Sequence, residues 1–330
     1  MGTREEEKGM VVSIIVATYN SAKFVIETLE SAKAQTYQYL ELVVSDDSSS
    51  DNTVALCKQW IAINSERFVN TELITVPANT GVSANCNRCI KTAKSDWIKF
   101  IAGDDILLPN CVADNMKFIR QNPTAKAVFS DVLLYQDNFG KESFLRSIPG
   151  RFPMNIMNPN FTAKDQYKLL LISDRITFTP SVFLNRHALL EVGGYDESNK
   201  LIEDYPMWLK LTRAGNQLHF FQQSTVGYRR HQAAANNLSE FGLFKPLFFK
   251  AAAIRKKDVY PFLPWDIVGS EKHILWVSKI FQKTGMNKKK SFYAYLYKIS
   301  TIYLNPFRYI IFFKKKVLRL GGTNVFYSDR

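Results

Sequence analysis

Residues 11–17, Val-Val-Ser-Ile-Ile-Val-Ala, form an apolar, β-branched run, the pattern of a strand buried on both faces. Polar Thr18-Tyr19-Asn20-Ser21 ends it, and residues 21–34 take up a helical period. The alternation then repeats, with strands over 40–45, 71–76 and 97–101 and helices over 51–63 and 81–93. Short links between strand and helix predict right-handed βαβ units and an α/β fold with a mainly parallel sheet. Past Pro109 the rhythm loosens. Strands are expected over 127–129, 132–135, 178–184 and 217–228, and helices over 163–172, 186–192 and 203–214. A loop carrying Pro and Gly is expected over 138–160.

Charge separates the last quarter of the chain from the rest. Residues 241–330 carry 18 basic and 4 acidic side chains, a net of +14, against 25 and 26 in residues 1–240. Phe, Tyr and Lys recur there at helical spacing, broken by Pro261, Pro264 and Pro306. The expected organisation is therefore a disordered extension over 1–10, a catalytic domain over 11–240 with halves 11–105 and 106–240, and a basic helical region over 241–330. Residues 302–313 are apolar but too short to span a bilayer, and suit a helix lying in the headgroup layer of an anionic membrane. A solvated basic face packed on the catalytic domain is the plainer alternative. Amphipathic spacing and the lack of an RNA-binding motif argue against nucleic acid as a partner. The start of the chain has no apolar signal-peptide core, so a cytoplasmic protein, peripheral on the inner membrane face, is expected. Cys57, Cys86, Cys89 and Cys111 are expected to be buried thiols of a reducing compartment; Cys86 and Cys89 form a CxxC without a second pair to complete a zinc site.

Candidate chemistry lies at the carboxyl ends of the predicted strands, where open α/β sheets bind ligands. Asp46-Asp47 ends one strand and Asp104-Asp105 follows another. Paired acids suit a divalent metal that in turn holds a phosphate. A turn with a helix N-cap is the structural alternative, above all for Asp46. Neither G-x-G-x-x-G nor G-x-x-x-x-G-K-[ST] occurs, which excludes the common dinucleotide and P-loop solutions.

The segments Ser13–Asn20, Val43–Thr53, Asn79–Ala84 with Asn87, and Gly103-Asp104-Asp105 together resemble the nucleotide-binding half of the inverting family 2 glycosyltransferases, which have the GT-A fold. Val192–Glu197, Glu203-Asp204 and Tyr228–His231 are similar to the family's acceptor-side motifs. The resemblance implies a UDP-sugar donor, with Ala17, Tyr19 and Asp47 at the uridine and Asp104 at the ribose. It also implies Asp105 as a ligand of Mn2+ or Mg2+, His231 near the metal or diphosphate, and Arg229 on phosphate oxygens. Asp204 would be the general base, with Glu203 in support. Gly193-Gly194 would supply a turn beside the acceptor pocket. Gly103 departs from the family's D-x-D spelling and removes one candidate metal ligand. The implied acceptor is a lipid-diphosphate-linked saccharide of an O-antigen or capsule, and the transferred sugar a hexose or N-acetylhexosamine. A catalytically silent module of the same fold and a nucleotidyltransferase are the alternatives. Asp47, Asp105 and Asp204 speak against the first, and Thr18-Tyr19-Asn20 in place of a Gly-rich basic loop speaks against the second.

Overall fold

The computed structural model describes residues 9–149, 156–174, 176–200, 202–231, 242–244, 247–318 and 325–327. The chain divides into two compact units, one of residues 1–167 and 175–231, the other of residues 168–174 and 232–330. Most of the expected extension over 1–10, and the boundary expected near 240, lie outside the described residues.

In the first unit the chain runs β1 (Val12–Thr18), α1 (Val25–Lys33), β2 (Leu40–Asp46), α2 (Thr53–Asn64), β3 (Asn70–Thr75), α3 (Val82–Thr92), β4 (Trp97–Ala102) and the short β5 (Ile106–Leu107). It continues through α4 (Cys111–Gln121), β6 (Ala127–Gln136), β7 (Phe144–Ile148), α5 (Ala163–Ile172), β8 (Phe183–Asn185), α6 (Arg186–Glu191), α7 (Asp204–Arg213) and β9 (Leu218–Arg230); α5 runs on into the second unit. The strands form one sheet in the order β3-β2-β1-β4-β8-β6-β9-β5, with β7 on β6. β1 lies parallel to β2 and β4, and β2 parallel to β3, as βαβ units require. Beyond β4 the sheet is mixed: β8 is antiparallel to β4 and β6, and β7 to β6, while β6 and β9 pair parallel. "Mainly parallel" therefore holds for the first half only. β1 and β2 are buried almost throughout, so Val12, Ile14, Ile15, Val16, Leu40, Leu42, Val43 and Val44 form the central core.

Two sequence expectations fail locally. The strand expected over 178–184 begins only at Phe183, because Thr179–Ser181 forms a 3-10 turn around Pro180, which has no N–H for a ladder. The loop expected over 138–160 contains β7, an edge strand whose pattern is too exposed to read as buried. Residues 127–129 and 132–135 are one strand, β6, kinked by irregular pairing with β9 around Asp131.

The described part of the second unit continues with α8 (Leu247–Ile254), α9 (Trp265–Lys283), α10 (Ser291–Lys298) and α11 (Pro306–Lys316). A buried carboxylate organises it. Asp266 accepts the Tyr327 hydroxyl at 2.9 Å and pairs with Lys314 at 3.1 Å. The stretch 302–313 is not one helix: it breaks at Asn305, which is buried and donates to Ser270 Oγ at 3.0 Å, and α11 restarts at Pro306. Among the described residues no helix is long and apolar enough to cross a membrane.

Gly193 and Gly194, at φ 76° and 66°, make the turn expected of them. A side chain at Gly193 meets nothing within 4 Å, whereas a Cβ at Gly194 would stand 2.6 Å from Asn87 Oδ1. That oxygen accepts the Tyr195 N–H at 2.8 Å. Urea unfolding is expected to show a loss of about 1–2 kcal/mol for Gly193→Ala, from backbone strain alone. Gly194→Ala is expected to lose roughly 3 kcal/mol or more, because it also breaks the buried hydrogen bond.

Candidate functional site

The loops after β1 and β2 are tied to one another. Thr18 Oγ1 donates to Asp46 Oδ2 at 2.9 Å, and Asp46 also accepts the Ser49 N–H and hydroxyl at 2.8 and 2.5 Å. Asn20, at φ 50°, donates its N–H to Ser49 Oγ and accepts the Ser50 N–H. Asp46 is thus the turn residue of its pair. These ties hold the exposed Tyr19 ring at the carboxyl edge of the sheet, beside the half-buried Ala17, whose carbonyl accepts the Gly103 N–H at 3.0 Å.

Asp47 is the buried organiser of the next loop. It accepts the N–H and hydroxyl of Thr80, the Gly81 N–H at 2.7 Å and the Arg88 guanidinium at 2.7 Å. Burial pushes its carboxyl up, but the hydrogen bonds from Thr80, Arg88 and Gly81 outweigh that and hold it below the usual carboxylate range. Four donors occupy a group with about four lone-pair sites, so a uracil imide would have to displace one of them. Arg88 escaped the sequence reading. Its only signal was a cation at helical spacing from Gly81 and Ala84 in a helix that the strand-end loop leads into.

The adjacent acids Asp104 and Asp105 face different surroundings. Asp105 is 1% exposed, and its Oδ1 accepts the Arg229 backbone N–H at 2.8 Å. Burial and the neighbouring Asp104 charge push its carboxyl well up. Asp104 keeps 29% of its side chain exposed and lies 3.0 Å from His231 Nε2. Of the two, the carboxylate that solvent reaches is that of Asp104, while that of Asp105, the expected metal ligand, faces the β9 backbone. Arg229, expected on phosphate oxygens, is buried. Its guanidinium donates to the carbonyls of Asp104 and Asp137 at 2.7 and 2.8 Å and to Glu27, between the rings of Phe24 and Phe139. At Gly103 a Cβ would lie 2.8 Å from Thr18 Cγ2 and 3.0 Å from Ser21 Oγ. The β1 loop excludes the family's first acid here.

Asp204 opens α7 and Glu203 precedes it. Thr179 Oγ1 donates to Asp204 Oδ2 at 2.9 Å, and the Tyr205 N–H to Oδ1 at 3.1 Å. Glu203 is pushed up to about 7, first by burial and then by the Asp204 charge. Asn87 borders the same region, donating to the Tyr195 carbonyl and to Glu197 at 2.9 and 2.8 Å.

Among the described residues no three His, Cys, Asp or Glu side chains cluster tightly enough to hold a metal alone. Asp104 and His231 supply two donors. That set fits an ion such as Mg2+ or Mn2+, which is held by one or two carboxylates and takes its remaining ligands from phosphates and water. The four cysteines are buried free thiols. His187 pairs with Asp96 on the surface, and His273 lies 2.9 Å from the Ser300 carbonyl.

The raised Glu203 carboxyl sets a pH dependence. Between its ordinary 4.5 and about 7 the folded chain holds a proton that the unfolded chain has released, so stability falls as pH rises through that window and levels off above it. Glu203→Gln is expected to melt several degrees above wild type at pH 8, and the gap is expected to close toward pH 4.

Comparison with known proteins bears on this geometry. The model of glycosyl transferase family 2 matches residues 13–189. The putative glycosyltransferase EpsE of Bacillus subtilis is 26% identical over 72% of this chain and 76% of its own length. WfaP of Escherichia coli, a UDP-Glc:alpha-D-GlcNAc-diphosphoundecaprenol beta-1,3-glucosyltransferase, is 28% identical over 70% of this chain and 82% of its own. The structure of S. aureus TarS 1-349 in complex with UDP-GlcNAc superposes with a TM-score of 0.56 at 17% identity, over 83% of this chain and 73% of that one; in the longer TarS chain the match covers 37%. At that identity TarS speaks for the fold alone, and the fold is GT-A. With more than half of its length matched by the family model, the chain belongs to glycosyl transferase family 2.

Proposed function

We propose that this glycosyltransferase moves a hexose or N-acetylhexosamine from a UDP-sugar, with inversion, to a lipid-diphosphate-linked saccharide in the assembly of an O-antigen or capsule. The observation that carries the reading is Asp204, a carboxylate that accepts the Thr179 hydroxyl and the Tyr205 N–H at the start of α7. The UDP-glucose donor and diphosphoundecaprenol acceptor in the name of WfaP support the substrate classes.

In this reading Tyr19 lies against the base, and Asp47 with Arg88 shapes the pocket edge that the uracil meets. Asp104 and His231 face the diphosphate and would hold Mn2+ or Mg2+. A divalent cation there supplies charge stabilisation for the leaving diphosphate. Asp204 takes the proton of the acceptor hydroxyl as that oxygen bonds to the anomeric carbon. The bond from that carbon to the diphosphate oxygen breaks on the opposite face, so UDP leaves and the configuration inverts. Glu203 lends a second carboxylate beside the base, with a proton affinity set near neutrality.

The second unit suits a lipid-linked acceptor. α9 to α11 and the turn before α11 expose Trp276, Tyr303, Leu304, Tyr309, Phe312 and Phe313, and α11 ends in Lys314-Lys315-Lys316. Aromatic rings beside lysines match the headgroup layer of an anionic leaflet.

Asp204→Asn is expected to lower kcat by roughly 10²–10⁴-fold while leaving UDP-sugar affinity unchanged, read as UDP release by chromatography. Retained turnover rules Asp204 out as the base. Transfer is expected to stop in EDTA and return with Mn2+ or Mg2+. The protein is expected to sediment with phosphatidylglycerol vesicles and not with phosphatidylcholine vesicles. Replacing Tyr309, Phe312 and Phe313 by Ser is expected to release it; binding that survives this change places the contact elsewhere.

A further inference from the structure

Lys99 stands on β4 with no exposed surface, where the sheet core would more readily take an apolar side chain. Its Nζ donates to three backbone carbonyls, Pro180 at 2.6 Å, Phe100 at 3.0 Å and Val182 at 3.2 Å. Burying an ammonium is costly, and burial lowers its pKa to about 8 although Cys111 and Asp105 pull the other way. Such a cation calls for a compensating role.

The local topology shows one. β8 pairs with β4 only at Asn185, Leu184 and Phe183, the last opposite Lys99 itself. Before Phe183 the chain leaves the ladder for the 3-10 turn Thr179–Ser181, so the carbonyls of Pro180 and Val182 have no strand donor from β4. An ammonium presents three donors from a single atom, and Lys99 uses them to fasten the turn to β4. On the other side, Ser181 Oγ accepts the Ser130 N–H at 3.0 Å and donates to the Phe178 carbonyl at 2.7 Å. The first residue of this fastened turn is Thr179, whose hydroxyl bonds Asp204.

We propose that Lys99 is a positioning residue for the general base: its buried ammonium holds the Thr179–Ser181 turn so that Thr179 Oγ1 aligns the Asp204 carboxylate. The proposal rests on Asp204 being the base. The titratable groups that act on Asp204 from its surroundings are Glu203 beside it, Cys86 on α3 and Tyr195 in the turn after α6. Neither Lys99 nor Thr179 need touch the substrate for the effect to operate.

The test is a double-mutant cycle on the full chain with Thr179→Val, Lys99→Met and the two combined, following kcat and donor KM. Each single change is expected to lower kcat by roughly 10- to 100-fold, as a displaced catalytic group does, with donor KM little altered. The double variant is expected to be no slower than Lys99→Met, since both act through one turn. Multiplied losses in the double variant, or a donor KM that rises as far as kcat falls, overturn the proposal. If Lys99→Met does not fold, Lys99→Arg keeps the buried cation but spreads its donors over a planar fork. It is expected to show a smaller loss of kcat with donor KM unchanged, and a wild-type kcat in Lys99→Arg overturns the proposal as well. A fully active Asp204→Asn would instead remove the base assignment. An inactive Asp204→Asn with fully active Thr179 and Lys99 variants would remove only the positioning role.

Discussion

Arg229 is a cation with almost no contact with water, and distant parts of the first unit meet on it. Its side chain reaches the carbonyl of Asp104 after β4, the carbonyl of Asp137 after β6 and the carboxylate of Glu27 on α1, while its backbone N–H binds Asp105. The rings of Phe24 and Phe139 lie 4.5 and 4.2 Å from the guanidinium. A buried guanidinium is tolerable only when its N–H groups and charge are answered, so these segments are fixed relative to one another. With the Asp104 backbone held and Asp105 turned into the protein, the carboxylate left at the surface is that of Asp104, beside His231. Much of the site's geometry follows from that constraint.

The first half of the sheet was legible because β1, β2 and β4 are short, largely apolar runs, β1 mostly β-branched, and each connecting helix has its own period. Both signals are local. The failures came where a distant partner decided the outcome. Residues 178–184 have a strand's composition, but Pro180 and the ammonium of Lys99 make a turn of their first part. Nothing in the pair Asp104-Asp105 tells which acid faces inward; Arg229, more than a hundred positions later, decides it. Arg229 itself looked like a phosphate ligand because a basic residue beside a histidine at a strand end suits either role. Arg88 went unnoticed because its partner, Asp47, lies across a strand-to-helix connection and shares no motif with it. Gly103 read as a missing ligand, and the packing of Thr18 and Ser21 supplies its reason.

The acids of the site divide by surroundings. Asp47, held low by its donors, shapes a loop. Asp104 keeps water contact and suits a role toward phosphate. Asp204 accepts the hydroxyl of Thr179, and Glu203 beside it is pushed up to about 7. Four carboxyl groups of nearly equal intrinsic acidity thus meet different surroundings through burial and hydrogen bonding. The proposed sugar transfer assigns them their roles on that division.

The central proposal is that Asp104, the more exposed acid of its pair, forms the protein's side of a metal-linked diphosphate site. Calorimetric titration of UDP into wild type and Asp104→Asn, each with Mn2+ and with EDTA, tests it most directly. The account predicts that Mn2+ tightens UDP binding by wild type and that Asp104→Asn, still folded, binds UDP equally weakly with and without the ion. A Mn2+ enhancement that survives in Asp104→Asn would contradict it.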